Sequence, residues 1–334
     1  MKRIWVGGLA LALVASSGSA FAASDGYLLV AEKGAQALGI VDAASGRELA
    51  SVPEGGITGH EVTASLDGKT AFVPIYGNSG VGKPGTDGSV LVAIDIASHK
   101  IVGHLDFGRG IRPHCPVMNP RDGMLYVTTE LDKTVSIIDP KTLKIVGTVP
   151  TGQEQSHMLA ISPDGLWGYT ANVGPGTVSV LDLKARKLKT VIPVSKNVQR
   201  ISVSRDGKWV FTSDQVKPDL VVIDAATDKI AKRIPMKSAG YGTATTPDGK
   251  FLLVPMMDSD AVAVIDLKTM TVARNIDLGQ GTHPQETLVR PDGMVAYVSC
   301  DKPGKVAEID MATFRETRLL STGPVSDGLA WASK

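Results

Sequence analysis

Histidine is the residue type whose placement in this chain points most clearly to chemistry. Only six histidines occur, and His60, His114 and His157 each stand just before a short apolar segment. His283 stands in a similar place further along the chain. Neutral imidazole is a ligand of Zn, Cu and Fe, and three converging imidazoles leave a coordination position open. We therefore predict that these four histidines hold a transition metal ion.

The three regularly placed histidines belong to a larger set of polar positions. Counting back five residues from the turn that ends each apolar segment reaches one equivalent position per repeat, seven in all. The other four positions hold Gln199, Tyr241, Gln285 and Asp327. Seven polar side chains from seven repeats can form a ring, and we predict that these four residues bind a small polar ligand. The alternative is a wet polar rim in which the histidines make ordinary hydrogen bonds.

Ionisable residues directly follow several ring positions. Glu61, Arg200 and Glu286 are of this kind, and Cys115 follows His114. If the protein is an enzyme, Glu61 or Glu286 would transfer protons and Arg200 would bind an anionic substrate. Side chains alternate along a strand, so some of these residues are expected to face away from the ring.

An internal repeat predicts the elements that position these residues. An Asp closes a strand-like segment seven times, with spacings of 53, 44, 43, 42, 42 and 44 residues. An Asp-Gly turn recurs between these positions, and the segments around it have the apolar pattern of strands. Each period therefore contains four strands, and four-stranded sheets of this kind bury both faces by packing around an axis.

The two chain ends complete the prediction. The first repeat lacks its innermost strand, and the segment 328–332 at the C-terminus supplies a matching one. We predict an all-β fold, a seven-bladed β-propeller of four-stranded antiparallel blades, closed by a C-terminal strand that completes blade one. Both series of Asp residues are interpreted as turn caps rather than catalytic groups.

Several strands resemble the YVTN-type propeller repeat. The resemblance is carried by 125–129 (LYVTT), 169–172 (YTAN) and 297–300 (YVSC), with SPDG at 162–165 and IDPKT at 138–142. It covers essentially the whole of 23–334 and implies the propeller architecture. Propellers of this type include periplasmic and surface-layer proteins, a DNA-binding member and relatives of the haem d1 propeller, and lactonases use a similar scaffold. The resemblance therefore does not select a function.

The N-terminus has the pattern of an export signal. Lys2 and Arg3 precede an apolar stretch that ends in Ala20-Phe-Ala22, so we predict a signal peptide at 1–22 and a single propeller domain at 23–334. The protein is then periplasmic or secreted. No later segment has the length of a membrane span, and we expect a monomer.

Composition narrows the possible partners. With 35 basic against 34 acidic residues and 5% aromatics, neither a broad positive field nor a stacking surface is present, so nucleic acid is not an expected partner. The stretch 80–85 (GVGKPG) resembles a phosphate loop but lacks the strand-to-helix context. We interpret 77–89 as a long loop above the ring.

The predicted function follows from the ring. We expect an exported propeller that binds a metal or a small polar ligand at the top of its central channel, as a scaffold or accessory protein whose top face also contacts a partner protein. The alternative is a metal-dependent enzyme, a lyase, lactonase or oxidoreductase, that uses the same residues.

Overall fold

The computed structural model describes residues 26–334, so the predicted signal peptide lies outside the described residues. In chain order the strands are β1 (Gly26–Glu32), β2 (Ala37–Asp42), β3 (Arg47–Pro53), β4 (Thr63–Ala64), β5 (Thr70–Gly77), β6 (Asp87–Asp95), β7 (Lys100–Asp106), β8 (Pro113–Met118), β9 (Leu125–Thr129), β10 (Thr134–Asp139), β11 (Lys144–Pro150), β12 (Ser156–Ile161), β13 (Trp167–Asn172), β14 (Thr177–Asp182), β15 (Lys187–Pro193), β16 (Val198–Val203), β17 (Trp209–Asp214), β18 (Asp219–Asp224), β19 (Lys229–Pro235), β20 (Ala244–Thr245), β21 (Phe251–Met256), β22 (Ala261–Asp266), β23 (Thr271–Asp277), β24 (Pro284–Val289), β25 (Val295–Cys300), β26 (Lys305–Asp310), β27 (Arg315–Ser321) and β28 (Ser326–Ser333). Two short 3₁₀ helices lie at Glu130–Asp132 and Met257–Ser259.

The strands form seven antiparallel sheets of four. Six sheets take consecutive strands, and the seventh has the order β28-β1-β2-β3. The C-terminal strand therefore becomes the inner strand of the first blade, paired with β1 from Gly26 opposite Ser333 to Val30 opposite Leu329. Because this pairing leaves no free edge at the chain ends, the ring closes. The predicted seven-bladed propeller is confirmed.

The core lies between neighbouring blades. Leu29 and Ile40 of blade one pack with Val73, Ile75 and Val92 of blade two in one cluster of buried side chains. The outer strands are exposed on alternate residues, as in β3 and β7. Burying an aliphatic side chain of this size contributes about 1.5–3 kcal/mol, so the blades are held together mainly by these faces.

The recurrent Asp residues cap turns, as predicted. Asp42 accepts hydrogen bonds from the amide and the hydroxyl of Ser45, at 2.9 and 2.6 Å. In the Asp-Gly turns, Asp164 accepts from the hydroxyl of Ser162 at 2.6 Å and from the amide of Leu166 at 3.0 Å. These carboxylates satisfy local backbone donors and are architectural. No helix among residues 26–334 is long and apolar enough to cross a membrane.

Candidate functional site

The side chain of Arg200 contacts residues from three other blades, so four blades meet around it. It enters from β16 of blade five, and its guanidinium is paired with Glu61 of blade two, Glu286 of blade seven and Asp327 of blade one. The Nη1–Oε2 distance to Glu286 and the Nη2–Oδ1 distance to Asp327 are both 2.9 Å. Residues of blades one, two, five and seven can touch only at the propeller axis. This group, with Lys33, is called the carboxylate cluster below.

The carboxylate cluster is buried. The side chains of Arg200, Glu61, Glu286 and Asp327 are 4%, 8%, 17% and 5% exposed. Burial, opposed by Arg200 and reinforced by neighbouring carboxylates, raises the pKa of Glu61 and of Glu286. Burial acts the same way on Asp327, but Lys33 and Arg200 outweigh it and hold the pKa of Asp327 below its usual range. The three carboxyls therefore differ in how readily they ionise: Asp327 loses its proton more easily than Glu61 or Glu286 does.

Lys33 supplies the second cation of the cluster. Its Nζ lies 3.1 Å from Oδ2 of Asp327, and the ammonium is 27% exposed. The attraction of Asp327 raises the pKa of Lys33 despite burial, so Lys33 is charged. Two cations thus face three carboxyl groups.

The predicted histidines of blades two, three and four lie together. His114 stacks on His157 with ring centroids 3.5 Å apart, and His60 meets His114 edge to face at 5.5 Å. Tyr76 packs against all three rings at 4.8–5.4 Å. These four residues and Glu130 are called the imidazole cluster, and the two clusters together form the axial site. They are adjacent, since Nη1 of Arg200 lies 3.4 Å from Sδ of Met158, the residue after His157.

The three imidazoles are neutral. Burial, helped by the positive charge of Lys33, lowers the pKa of His60 to about 3. Burial and the neighbouring rings hold the pKa of His114 well below its usual range. Burial also lowers the pKa of His157, although Glu130 opposes it. Each ring therefore offers one donor and one acceptor nitrogen.

Glu130 sets the orientation of His157. Its Oε2 lies 3.1 Å from Nδ1 of His157 and accepts the hydroxyl of Tyr76 at 2.8 Å, while Nη1 of Arg112 stands 3.6 Å from Oε1. Burial alone would raise the pKa of Glu130, but these partners lower it. Nδ1 of His157 therefore carries the proton and donates to the carboxylate, which leaves Nε2 as the acceptor.

The arrangement of the rings does not fit a metal ion as it stands. A metal lies in the plane of each imidazole, along the lone pair of the nitrogen, at about 2.0–2.1 Å. His114 and His157 are stacked only 28° from parallel, so their lone pairs do not converge, and Nδ1 of His157 is engaged by Glu130. Among residues 26–334, no group of three or more His, Cys, Asp or Glu side chains is arranged to hold a metal.

Interrupted pairing explains how consecutive residues reach the axis. The inner ladders shift register between Gln199 and Ile201, between Ser156 and Met158, and between Pro284 and Thr287. Arg200 has a left-handed backbone with φ of 57°. Such bulges suspend the strict alternation of strand side chains.

The side chain of Cys115 points away from the ring, as the alternation of side chains along a strand predicts. Its thiol points into the core, with Sγ 3.6 Å from the carbonyl oxygen of Leu159, and burial raises its pKa. Cys300 is also buried, and both cysteines are free thiols.

The remaining predicted residues are placed less centrally. His283 is apart from the other histidines, with Nδ1 3.4 Å from Oδ2 of Asp301. The ring of Tyr241 lies 5.0 Å from the guanidinium carbon of Arg200, so it lines the carboxylate cluster. Gln199 has a buried Oε1 without a hydrogen-bond partner, and Gln285 is buried, its backbone carbonyl bound by Gly242.

Sequence reasoning missed Lys33, Tyr76 and Glu130. All three lie six residues after the residue opposite the closing Asp of their blade. Tyr27 is paired with Asp42 and Thr70 with Asp95. Extending the pairing of Leu125 with Ile138 by one residue places Met124 opposite Asp139. The second strands run toward the same face on which the inner strands begin. The same positions in the other repeats are Val173, Gln215, Met257 and Asp301. Applying the repeat register to the end of the second strand would have found this second ring.

The predicted loop 77–89 lies on the face of the axial site, but only residues 78–86 are outside strands, because β5 ends at Gly77 and β6 begins at Asp87. The guanidinium of Arg112, two residues before His114, donates to the carbonyl of Lys83 at 2.7 Å and to Oδ1 of Asp87 at 2.6 Å. A cavity of about 390 Å³ lies between this loop and Glu130. Another of its walls carries an ion pair between Lys133 and Glu154.

Comparisons with known proteins agree with this architecture. The model of the YNCE-like beta-propeller family matches residues 109–328. Hydrazine synthase of Kuenenia stuttgartiensis superposes with a TM-score of 0.69 and 19% identity, over 81% of this chain and 89% of that one. Dihydro-heme d1 dehydrogenase NirN, solved in complex with DHE, gives a TM-score of 0.67 and 16% identity, over 91% and 74%. At these identities the likeness concerns the fold alone. The comparison with curated protein sequences gave no match.

Proposed function

This chain belongs to the YNCE-like β-propeller family, and on that premise we propose that it is an exported protein that binds a small polar ligand at the axial site. The supporting observation is a set of buried polar atoms in and beside the ring that make no hydrogen bond. These are Nδ1 of His114, Oε1 of Gln199 and Oε2 of Glu286. Buried polar groups are almost always hydrogen-bonded, and an unpaired one costs about 1–3 kcal/mol. A bound polar molecule would remove that cost.

The cavity beneath loop 77–89 is a weaker candidate for the same role. Most of its charged groups already have partners, since Arg112 is engaged by Asp87 and Glu130, and Lys133 by Glu154. Glu130 contributes to the cavity wall and also binds His157, so the cavity is a route by which a ligand approaches the axial site. NirN, a protein that shares this fold, was solved in complex with DHE.

Metal binding, and with it the alternative of a metal-dependent enzyme, is our second candidate. Neutral imidazole is the form that coordinates Zn, Cu or Fe, and three neutral imidazoles lie in contact here. Stacked His114 and His157 would have to rotate before their nitrogens converged on one ion. Glu61 and Glu286 would be the proton carriers of such an enzyme. Arg200 is held by three carboxylates and is not free to bind an anionic substrate.

One preparation tests both candidates. The mature protein is purified from the periplasm without chelators, denatured, and analysed for metals by elemental analysis and for released small molecules by mass spectrometry. A variant with His60, His114 and His157 replaced by alanine is treated identically, and the matched control replaces His99 and His104, which lie on or beside the outer strand β7.

The outcomes separate the candidates. A small molecule at near-stoichiometric amount in the wild type and the control, lost in the triple variant, supports the proposed function. Near-stoichiometric metal with the same pattern supports the second candidate instead. Wild-type protein that releases neither, and that takes up no Zn, Cu or Fe on incubation, overturns both. Recovery from the periplasm rather than the cytoplasm tests the predicted export.

A further inference from the structure

The carboxylate cluster has more acidic than basic groups. Glu61, Glu286 and Asp327 surround Arg200, and among residues 26–334 Lys33 is the only other cation in contact with them. Three buried carboxyls thus share two cations. A buried carboxylate is tolerated only when a cation or a proton compensates its charge. The third carboxyl must therefore hold a proton, or the site must receive another cation.

Most of the buried polar atoms that make no hydrogen bond here are acceptors, so what they lack is a hydrogen-bond donor. Oε1 of Gln199 and Oε2 of Glu286 are buried acceptors without a hydrogen bond. Oε2 of Glu286 lies 2.9 Å from Nη1 of Arg200 but is not aligned with it as an acceptor. His114, only 2% exposed, leaves Nδ1 unpaired in the neighbouring imidazole cluster.

An anion would find no free positive charge in this cluster. Arg200 is bound by three carboxylates, and Lys33 is bound to Asp327. Any anion would have to break one of these buried pairs. A cation with N–H groups, in contrast, adds a hydrogen-bond donor for Oε2 of Glu286 and a positive charge for the third carboxyl.

We infer that the ligand of the axial site is a small organic cation with N–H donors, a primary ammonium. This inference rests on the proposed function and specifies its ligand class. The ammonium donates to carboxylate oxygens of the carboxylate cluster, Oε2 of Glu286 among them. It also supplies the charge that balances the third carboxylate. The proton that Glu61 otherwise holds then leaves to solvent as the cation enters, so the total charge of the site is conserved.

Proton release makes the inference measurable. The charged and titratable groups that interact electrostatically with Glu61 are Arg200, Asp327, Glu286, Tyr241 and, from the core side, Cys115. Of these, Arg200 favours the ionised form of Glu61, while Asp327 and Glu286 oppose it. When the ammonium binds, Glu61 releases one proton, so affinity for the ammonium is expected to rise with pH. The rise is at most about tenfold per pH unit.

The experiment compares three probes of equal size and different charge. Propylammonium, propan-1-ol and propionate are titrated into the mature wild-type protein by calorimetry at several pH values and in buffers of different ionisation enthalpy. Propylammonium is expected to bind at least tenfold more tightly than the other two, with heat that depends on the buffer because a proton is released. Glu61→Gln and Glu286→Gln are expected to weaken it at least tenfold. The matched control Glu316→Gln removes a partly exposed carboxylate on the outer strand β27, away from both clusters, and is expected to bind as the wild type does.

Each contrary outcome has a distinct meaning. Tighter binding of propan-1-ol or propionate, binding of ZnCl2 alone in place of the ammonium, or no binding of any probe overturns the inference. The proposed function fails separately, when the purified wild-type protein releases no small molecule in the preparation described above. Equal weakening in Glu316→Gln and Glu286→Gln would also count against the carboxylate cluster as the site.

Discussion

Arg200 of blade five and Glu61 of blade two form an ion pair across the propeller axis, 139 positions apart in the sequence. The contact joins parts of the chain that neither local pairing nor the packing of neighbouring blades brings together. Through Glu286 and Asp327 the same guanidinium reaches blades seven and one. The centre of this propeller is therefore filled on one face by a charged group rather than by apolar side chains.

Removing the guanidinium is expected to destabilise the fold strongly. Arg200→Met leaves three buried carboxyls with Lys33 as their only cation, and breaking a buried ion pair from one side costs about 3–5 kcal/mol. Urea unfolding followed by circular dichroism measures the change. Arg109→Met is the control, since the exposed pair of Arg109 with Asp132 is worth about 0–1 kcal/mol. Equal midpoints for the two variants would contradict a role for Arg200 in stability.

The contribution of Glu61 to stability is expected to fall as pH rises from about 4.5 to about 8. Burial, together with Asp327 and Glu286, raises the pKa of Glu61 from 4.5 to about 8. The folded state then binds a proton that the unfolded state has lost. The contribution is complete below about 4.5 and disappears as pH passes the folded pKa, with a slope of at most about 1.4 kcal/mol per unit. Urea unfolding across this range should show a smaller slope for Glu61→Gln, and identical slopes would refute the assignment.

Acid is expected to destabilise the protein through the imidazole cluster. Burial lowers the pKa of His60 to about 3, and burial also depresses the pKa values of His114 and His157. Below pH 6.5, the ordinary pKa of histidine, the unfolded chain binds protons that the buried imidazoles of the folded state do not bind. Stability should therefore decrease from about pH 6.5 toward pH 3. Thermal unfolding at pH 7, 6 and 5 should show a weaker dependence with each histidine replaced by glutamine, and an unchanged dependence in the triple variant would contradict this.

Glu130→Gln is expected to loosen the imidazole cluster. The amide oxygen can still accept from Tyr76 and His157, but it carries no charge, and the amide nitrogen takes the place of the oxygen that stands 3.6 Å from Nη1 of Arg112. Weakening these buried hydrogen bonds costs about 1–3 kcal/mol. The pKa of His157 should fall further, since the Glu130 carboxylate raises it. NMR of the imidazole nitrogens reports both the pKa and the tautomer. An unchanged Nδ1–H tautomer with unchanged stability would argue against Glu130 as the orienting group.

Both thiols are expected to be inert in the native protein. Cys115 and Cys300 are free and buried, and burial raises the pKa of Cys300 to about 12. The thiolate is the reactive form, so neither should react with a disulfide reagent until the protein unfolds. The reaction is followed spectroscopically with and without urea. Rapid labelling of native protein would show that one of the two sites opens.

The sequence by itself was sufficient for the architecture. Regular spacing of the closing Asp residues predicts seven blades, and the missing first strand predicts closure by β28, because every blade repeats the same local chemistry. The ring position was also readable, and His60, His114 and His157 do lie together. Repeats make such predictions possible because equivalent positions adopt equivalent backbone.

Only the tertiary structure decided what the ring does with its side chains. Bulges at the start of the inner strands direct Arg200 toward the axis, and no local pattern predicts where a guanidinium from one blade finds carboxylates from three others. The pairing of Glu130 with His157 and the stacking of His114 depend on side-chain directions across neighbouring blades. Periodicity determines which residues reach the axis, whereas their partners depend on distances between segments far apart in sequence, which only the closed ring of blades defines.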